Sequence, residues 1–276
     1  MAYIDVDDTR LYYEEKGAGE PVVFVHGGFS DHSTWRLVAG AMPESLRVVT
    51  YDRRGHSRSE RGAGALPRRL HERDLAGLLE ALKLGPAHLV GNSYGASIVL
   101  GLAAHRPDLV QSAVAHEAPL TGITLDNPTE RRAVARVEAQ IRAALKRIDS
   151  GDVPGGVKQF LEDVALGAGR WEQVPERIRT VMVSNAPTVV DEQRDPDWAS
   201  IGLDELASIR VPVLLTHGAQ SPEWFSGIIA KLNEVIPGAT PRVLAGAGHN
   251  PHATHPAEFA AAVAGFVGYG AVKQAA

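Results

Sequence analysis

The sequence predicts an α/β fold: a mostly parallel sheet of eight strands with helices on both faces and a helical insertion. Three observations carry the prediction. Short β-branched runs alternate with helical patterns through the first third and the last quarter of the chain. Those runs are nearly continuous in apolar residues, as suits parallel strands covered on both sides. Between about Leu120 and Ser208 the alternation stops and only helical patterns remain.

Taken in order, Tyr3–Val6 and Leu11–Glu15 alternate polar and apolar residues and read as an antiparallel edge hairpin. Strand runs follow at Pro21–His26, Leu46–Tyr51, His88–Gly91 and Val110–His116, with helical patterns at Ser33–Met42, Leu66–Leu84 and Ala96–Ala104 between them. In the insertion, Arg131–Arg147, Val157–Leu166 and Glu176–Val183 read as amphipathic helices. Strands at Val211–His217 and Pro241–Leu244 are each followed by a helix, Glu223–Val235 and Pro256–Val267. Residues 1–119 and 209–276 are thus assigned to a core domain and 120–208 to a helical cap. An insertion at that point falls over the carboxyl ends of the strands, where open α/β sheets bind ligands.

At 276 residues the chain can bury a large core, as one domain with an insertion or as two small domains. A net charge of −5 and the lack of any Lys/Arg-dense stripe argue against nucleic acid or an anionic membrane as partner. The sequence contains no cysteine, which removes disulfides, thiolate metal sites and a cysteine nucleophile from consideration. The start, Met1-Ala2-Tyr3-Ile4-Asp5, has neither the basic nor the apolar stretch of a secretion signal, and no apolar run reaches membrane-spanning length. A cytoplasmic protein, monomeric or homodimeric, is expected.

The sharpest local signal is Gly91-Asn92-Ser93-Tyr94-Gly95, which follows a buried strand and opens a helix. A strand that turns this tightly into a helix leaves Ser93 strained and exposed, beside the unpaired N–H groups and positive end of the helix. A serine nucleophile needs a base within hydrogen-bond reach, and the base needs an orienting acid. His249, in the Gly-rich loop Ala247-Gly248-His249-Asn250-Pro251, is the candidate base. His252 and His255 are rivals but read as solvated loop residues. His26-Gly27-Gly28-Phe29, at another strand end, offers unobstructed backbone N–H groups, so Gly28 and Tyr94 form the candidate oxyanion pair.

These segments, together with Tyr51-Asp52-Arg53-Arg54-Gly55-His56-Ser57, occur in the order found in α/β-hydrolase-fold enzymes, and the chain resembles that superfamily from about Val22 to Val267. The resemblance implies Ser93 as nucleophile, His249 as base and the Gly28 and Tyr94 N–H groups as oxyanion hole. It implies structural roles for Asp52, Arg53 and His56. It also exposes a departure. The triad acid of this fold commonly follows the seventh strand, yet here that stretch reads Thr216-His217-Gly218-Ala219-Gln220-Ser221-Pro222, with Ser221 where an Asp is expected. Glu117 ends the otherwise apolar strand Val114-Ala115-His116-Glu117, a costly place for a carboxylate without a partner. Some subgroups take their acid from this sixth strand, and the chain is similar in arrangement to zearalenone-type lactonases: a His-Glu-x-Pro strand end, the Gly218–Pro222 loop and a tail running from Gly246 to His255-Pro256. Glu117 is therefore the expected acid, with Glu223 and Asp191 as rivals and a purely structural, salt-bridged Glu117 as the remaining alternative.

Together these residues lead to the expectation of a serine hydrolase acting on an apolar ester or lactone without cofactor or metal. Phe29, Trp171, Met182, Trp198 and Trp224 are the expected substrate-contacting residues, with Phe160, Trp35 and Phe225 as further wall candidates. Carbon–carbon bond hydrolysis and perhydrolase chemistry on the same triad are the neighbouring enzymatic readings; a noncatalytic small-molecule receptor is the reading from another class. A serine at position 93 sets aside dehalogenase and epoxide hydrolase chemistry, which need a carboxylate nucleophile there. His252 and His255 lack the helix-face spacing of a zinc site.

Overall fold

The structure, a computed structural model, describes residues 2–123 and 125–268. Met1, Thr124 and residues 269–276, which fall within the spans assigned to core and cap, lie outside the described residues. The strands are β1 (Ala2–Val6), β2 (Thr9–Lys16), β3 (Glu20–Val25), β4 (Leu46–Tyr51), β5 (Ala87–Asn92), β6 (Val110–His116), β7 (Val213–Gly218) and β8 (Thr240–Leu244). They form one eight-stranded sheet in the order β1-β2-β4-β3-β5-β6-β7-β8. The β1–β2 and β2–β4 pairs are antiparallel and every other pair is parallel. The α/β-hydrolase fold expected from sequence is the fold observed.

Two apolar layers explain why the middle strands read as unbroken hydrophobic runs. On one face, Val23, Val25 and Leu89 pack with α2 (Arg68–Ala81) and α3 (Tyr94–His105); on the other, Val22, Phe24 and Val90 pack with α1 (Arg36–Ala41) and the C-terminal α10 (Pro256–Phe266). Trp35, a wall candidate on sequence, instead lies wholly within this second layer, against Phe24 and Phe259. Its ring is fully buried against Phe24 and Phe259, which leaves no face of it to contact a substrate.

Between β6 and β7 the described residues contain only helices: α4 (Pro128–Asp149), α5 (Val153–Phe160), α6 (Glu176–Glu192) and α7 (Leu203–Ala207), joined by shorter turns. Asn127 caps α4 by accepting from Thr129 N–H, and Val134, Val137, Ile141, Ala144 and Ile148 form its buried stripe at helical spacing. The helix expected over Val157–Leu166 is two elements, since α5 ends at Phe160 and runs into a wider π turn over Leu161–Ala165. The one expected over Glu176–Val183 continues through Pro187 to Glu192. Its buried face, Asn185, Thr188, Val189 and Glu192, lies on the loops after β3 and β4, and that contact holds the helix together past the proline. No described helix is long and apolar enough to cross a membrane. The remaining helices, α8 (Trp224–Val235) and α9 (Pro251–Thr254), follow β7 and β8.

Candidate active site

Ser93 sits at the turn between β5 and α3 with φ 55° and ψ −126°, a backbone conformation costly for any residue bearing a Cβ. The turn closes because its flanks are glycines. A Cβ on Gly91 would meet the Gly95 carbonyl oxygen at 2.4 Å, and one on Gly95 would meet the Val25 carbonyl oxygen at 2.2 Å. Ser93 N–H donates to the His116 carbonyl at 2.8 Å, tying the turn to the end of β6.

The next residue on β6's path is Glu117, also at positive φ (48°) and fully buried. Each carboxylate oxygen has its own donor: Gly218 N–H donates to Oε1 at 2.8 Å, and His249 Nδ1 donates to Oε2 at 2.6 Å. Burial pushes this carboxyl upward, but the bond from His249, the neighbouring His116 and Ser221 outweigh it and hold the group at about 2. Asn92 Nδ2 donates to the His249 carbonyl at 3.1 Å, and the Phe225 ring stacks on the imidazole at 4.9 Å between centroids. A His249 held at Nδ1 by a carboxylate keeps Nε2 as its acceptor nitrogen. The rival acids are elsewhere: Glu223 is exposed, and Asp191 is paired with Arg61 and Arg194 at 2.7 Å each.

Ser93 and His249 face one cavity of about 710 Å³, lined also by Gly27, Gly28 and Tyr94. Phe29, Trp171, Met182, Trp198 and Trp224 all border it, as do Phe160 and Phe225. Its walls therefore come both from the loops at the strand ends and from the inserted helices. His252, expected in solvent, is buried at the base of this region with its ring 5.0 Å from that of Trp35; burial and the nearby His116 and His249 lower it to about 3. Loop spacing carries no information about what covers a loop, so nothing in the sequence signals this burial. His255 is partly exposed, its Nδ1 2.9 Å from the Thr254 hydroxyl.

Among the described residues, two clusters hold enough donors for a cation: His116, Glu117 and His249, and Asp31, His32 and Asp52. In the first, both Glu117 oxygens and His249 Nδ1 are paired with one another or with Gly218 N–H, while the buried His116 Nε2 has no hydrogen-bond partner among the described residues; the second is satisfied internally. Asp52 Oδ1 accepts from the His32 N–H at 2.8 Å and from His32 Nδ1 at 2.6 Å, and its Oδ2 accepts from Arg58 N–H at 3.1 Å. That network fastens the loop after β4, the structural role expected for Asp52. Arg53 and His56 lie in the same loop, fully buried, and Arg53 pairs with Glu192 of α6, a partner no sequence motif announced.

A solved enol-lactonase from Burkholderia xenovorans superposes with a TM-score of 0.80 at 22% identity, over 96% of this chain and 99% of its own. Est816, described as an N-acyl homoserine lactone degrading enzyme, superposes with a TM-score of 0.71 at 25% identity, over 96% and 100%. A 2-(acetamidomethylene)succinate hydrolase from Mesorhizobium japonicum is 25% identical over 280 aligned residues, 96% of this chain and 94% of the relative. Residues 22–262 match the family model described as the alpha/beta hydrolase family, a span that contains the Ser93 turn, both candidate oxyanion residues, Glu117 and His249. With the sheet order, the strained serine turn and that match together, the chain belongs to the alpha/beta hydrolase family.

Proposed function

We propose that the protein is a serine hydrolase that cleaves a carboxylic ester or lactone with an apolar acyl or alcohol part. The observation that carries this is the 2.6 Å bond between His249 Nδ1 and Glu117 at the edge of the cavity into which Ser93 turns. Ser93 Oγ adds to the substrate carbonyl carbon as its proton passes to His249 Nε2. The carbonyl oxygen becomes an oxyanion facing the Gly28 and Tyr94 N–H groups. Collapse of this tetrahedral species expels the alkoxide, which takes the proton from His249. Water, deprotonated by the same imidazole, then adds to the acyl-enzyme, and Ser93 leaves with the proton restored. Glu117 stays ionised throughout and stabilises the imidazolium. No step calls for a cofactor.

Residues 120–208 act in this reading as a cap, and Phe29, Phe160, Trp171, Met182, Trp198 and Trp224 hold the apolar part of the substrate. Lactones fit alongside esters because ring opening uses the same steps, the leaving alkoxide remaining tethered to the acyl group. Two of the similar proteins bear names for lactone or enol-lactone cleavage, in keeping with that breadth.

The test is hydrolysis of para-nitrophenyl esters of graded chain length and of unsubstituted and alkyl lactones by wild type and Ser93→Ala. Turnover that falls by at least about 10⁴-fold in the variant is expected. Turnover undiminished in Ser93→Ala, or a wild type that neither turns over nor reacts with a fluorophosphonate, overturns the reading, the latter in favour of a noncatalytic receptor.

A further inference from the structure

The buried guanidinium of Arg53 holds the peptide that carries one N–H of the oxyanion hole proposed for this site and lies over the side chain of the residue that carries the other. Its Nη2 donates to the Gly27 carbonyl at 3.1 Å, and its Nε donates to the His26 carbonyl at 3.0 Å. The Gly27 carbonyl belongs to the same planar peptide as the Gly28 N–H, and the two point in opposite directions. Holding the oxygen from behind therefore aims the N–H forward. A second donor acts on the same oxygen. His26 Nε2 accepts from Arg53 N–H at 2.9 Å, which leaves the proton on Nδ1, and Nδ1 donates to the Gly27 carbonyl at 2.8 Å. Burial and the charge of Arg53 keep His26 neutral and well below its ordinary range, consistent with that single tautomer.

The other half of the hole is the Tyr94 N–H, and Arg53 lies 5.2 Å from the centroid of the Tyr94 ring. The guanidinium is itself held by Glu192, on α6, and by His56, whose Nε2 accepts from Nη2 at 3.2 Å. His71 Nε2 stands 3.0 Å from the same Glu192 oxygen. One turn earlier on α6, Val189 packs beside Gly28, close enough that a Cβ there would meet it at 3.6 Å. Thr188 donates to the Gly55 carbonyl at 2.6 Å and Asn185 to the Ser30 carbonyl at 2.9 Å. A single helix face thus clamps the loops after β3 and β4.

We propose that Arg53, fixed by Glu192, is a positioning residue that sets the oxyanion hole, and that α6 is a stationary part of the site. This rests on the proposed hydrolase activity. A donor on the Gly27 oxygen also polarises the peptide and strengthens its N–H as a donor, an effect that grows in a buried, low-dielectric setting. Substrate binding in the ground state does not draw on this; the tetrahedral anion does.

The experiment compares wild type, Arg53→Lys, Glu192→Gln and, as a control, Glu15→Gln, which breaks a surface pair with Arg47 on β4, neither residue lining the cavity. kcat and KM are measured on para-nitrophenyl butyrate, and binding of butylboronic acid is measured by calorimetry. Boron accepts the Ser93 oxygen as the hydroxyl proton moves to His249, giving a tetrahedral anion with one oxygen in the hole. In both site variants kcat should fall about 10- to 100-fold with KM changed less than about threefold, and boronate affinity should weaken by a similar factor. Glu15→Gln should leave boronate affinity and kcat unchanged. Boronate affinity unchanged in folded Arg53→Lys and Glu192→Gln overturns the proposal while leaving the hydrolase reading intact. A wild type that neither turns over the ester nor binds boronate overturns both.

Discussion

Replacing Glu117 by Gln isolates the role of its charge, because Gln is nearly isosteric and its failure can be worked out from the hydrogen bonds. Glu117 Oε1 accepts from Gly218 N–H at 2.8 Å and Oε2 accepts from His249 Nδ1 at 2.6 Å. Gln has one oxygen for two donors. If its oxygen faces Gly218, its amide NH₂ faces Nδ1 and drives the imidazole into the tautomer with hydrogen on Nε2, which cannot take the Ser93 proton. If the oxygen faces His249, an NH₂ opposes the Gly218 N–H at the site where a buried donor pair is most costly. Even then no charge remains to stabilise the imidazolium. The expected loss is about 10⁴-fold in kcat, about 5.5 kcal/mol of transition-state stabilisation, with KM little changed. The assay is initial-rate hydrolysis of para-nitrophenyl butyrate, with circular dichroism to confirm folding. A folded Glu117→Gln within about tenfold of wild-type kcat would refute the assignment and return attention to the loop after β7.

That loop supplies a second test: Ser221→Asp should restore at least about tenfold of the activity lost in Glu117→Ala, and no gain would mean that Ser221 does not stand within reach of His249. Ser221→Asp alone should lower Tm in calorimetry, since it sets a second carboxylate beside Glu117 with no added donor. Stability should fall steeply on mild acidification. His56, His116 and His252 are buried and lowered to about 3, 4 and 3, and His26 is lowered well below its ordinary value, each chiefly by burial. The unfolded chain therefore binds more protons below about pH 6.5, and each such histidine removes about 1.4 kcal/mol per pH unit as pH drops toward its folded value. Glu117, held at about 2, acts in the same direction below about pH 4.5, while His32, raised by Asp52 against the effect of its burial, opposes the trend near neutrality. Urea titrations between about pH 7 and pH 4.5 read the slope, and a flat profile to about pH 5 would contradict it. Finally, Gly95→Ala should cost about 3 kcal/mol or more through the 2.2 Å clash with the Val25 carbonyl, whereas Gly40→Ala, in α1 with nothing within 4 Å, should leave Tm unchanged or raise it.

The features that could be read from sequence are those whose physics is local or whose cost is conspicuous. The serine turn was legible because only glycine tolerates the close approaches at positions 91 and 95. Glu117 was legible because a charge at the end of an apolar strand demands a partner, although the partner's identity rested on likeness to a family. Features that stayed hidden depend on tertiary cover. His252 falls in a stretch that reads as a solvated loop but forms the short helix α9, which Trp35 and its neighbours cover. The length of α6 was underestimated because Pro187 interrupts it, and the helix is held beyond that point by a polar face meeting loops far away in sequence. Arg53 and Glu192 lie 139 positions apart, and neither carries a spacing that points to the other.

Glu117 can reach His249 from β6 because β6 and β7 are parallel neighbours, with His116 opposite Thr216 where β6 ends. Glu117 N–H donates to the Thr216 carbonyl at 3.2 Å, and its carboxylate reaches back to the Gly218 N–H, so the residue bridges the two strand ends before it meets His249. The left-handed backbone at φ 48° that permits this costs about 1–2 kcal/mol. Each hydrogen bond to the buried carboxylate contributes about 1.5–3 kcal/mol, so two of them more than offset the strain. This placement of Glu117 bears on the proposed substrate class. With the carboxylate anchored one strand inward, the segment from Ser221 into α8 carries no charge that must face His249. It instead presents Trp224 and Phe225 to the cavity, with Phe225 stacked on the imidazole itself. In the proposed reaction, an aromatic wall laid on His249 would exclude water from the proton-transfer path and favour an apolar group beside the scissile carbonyl, so the position of Glu117 and the proposed preference for apolar substrates would have one structural origin.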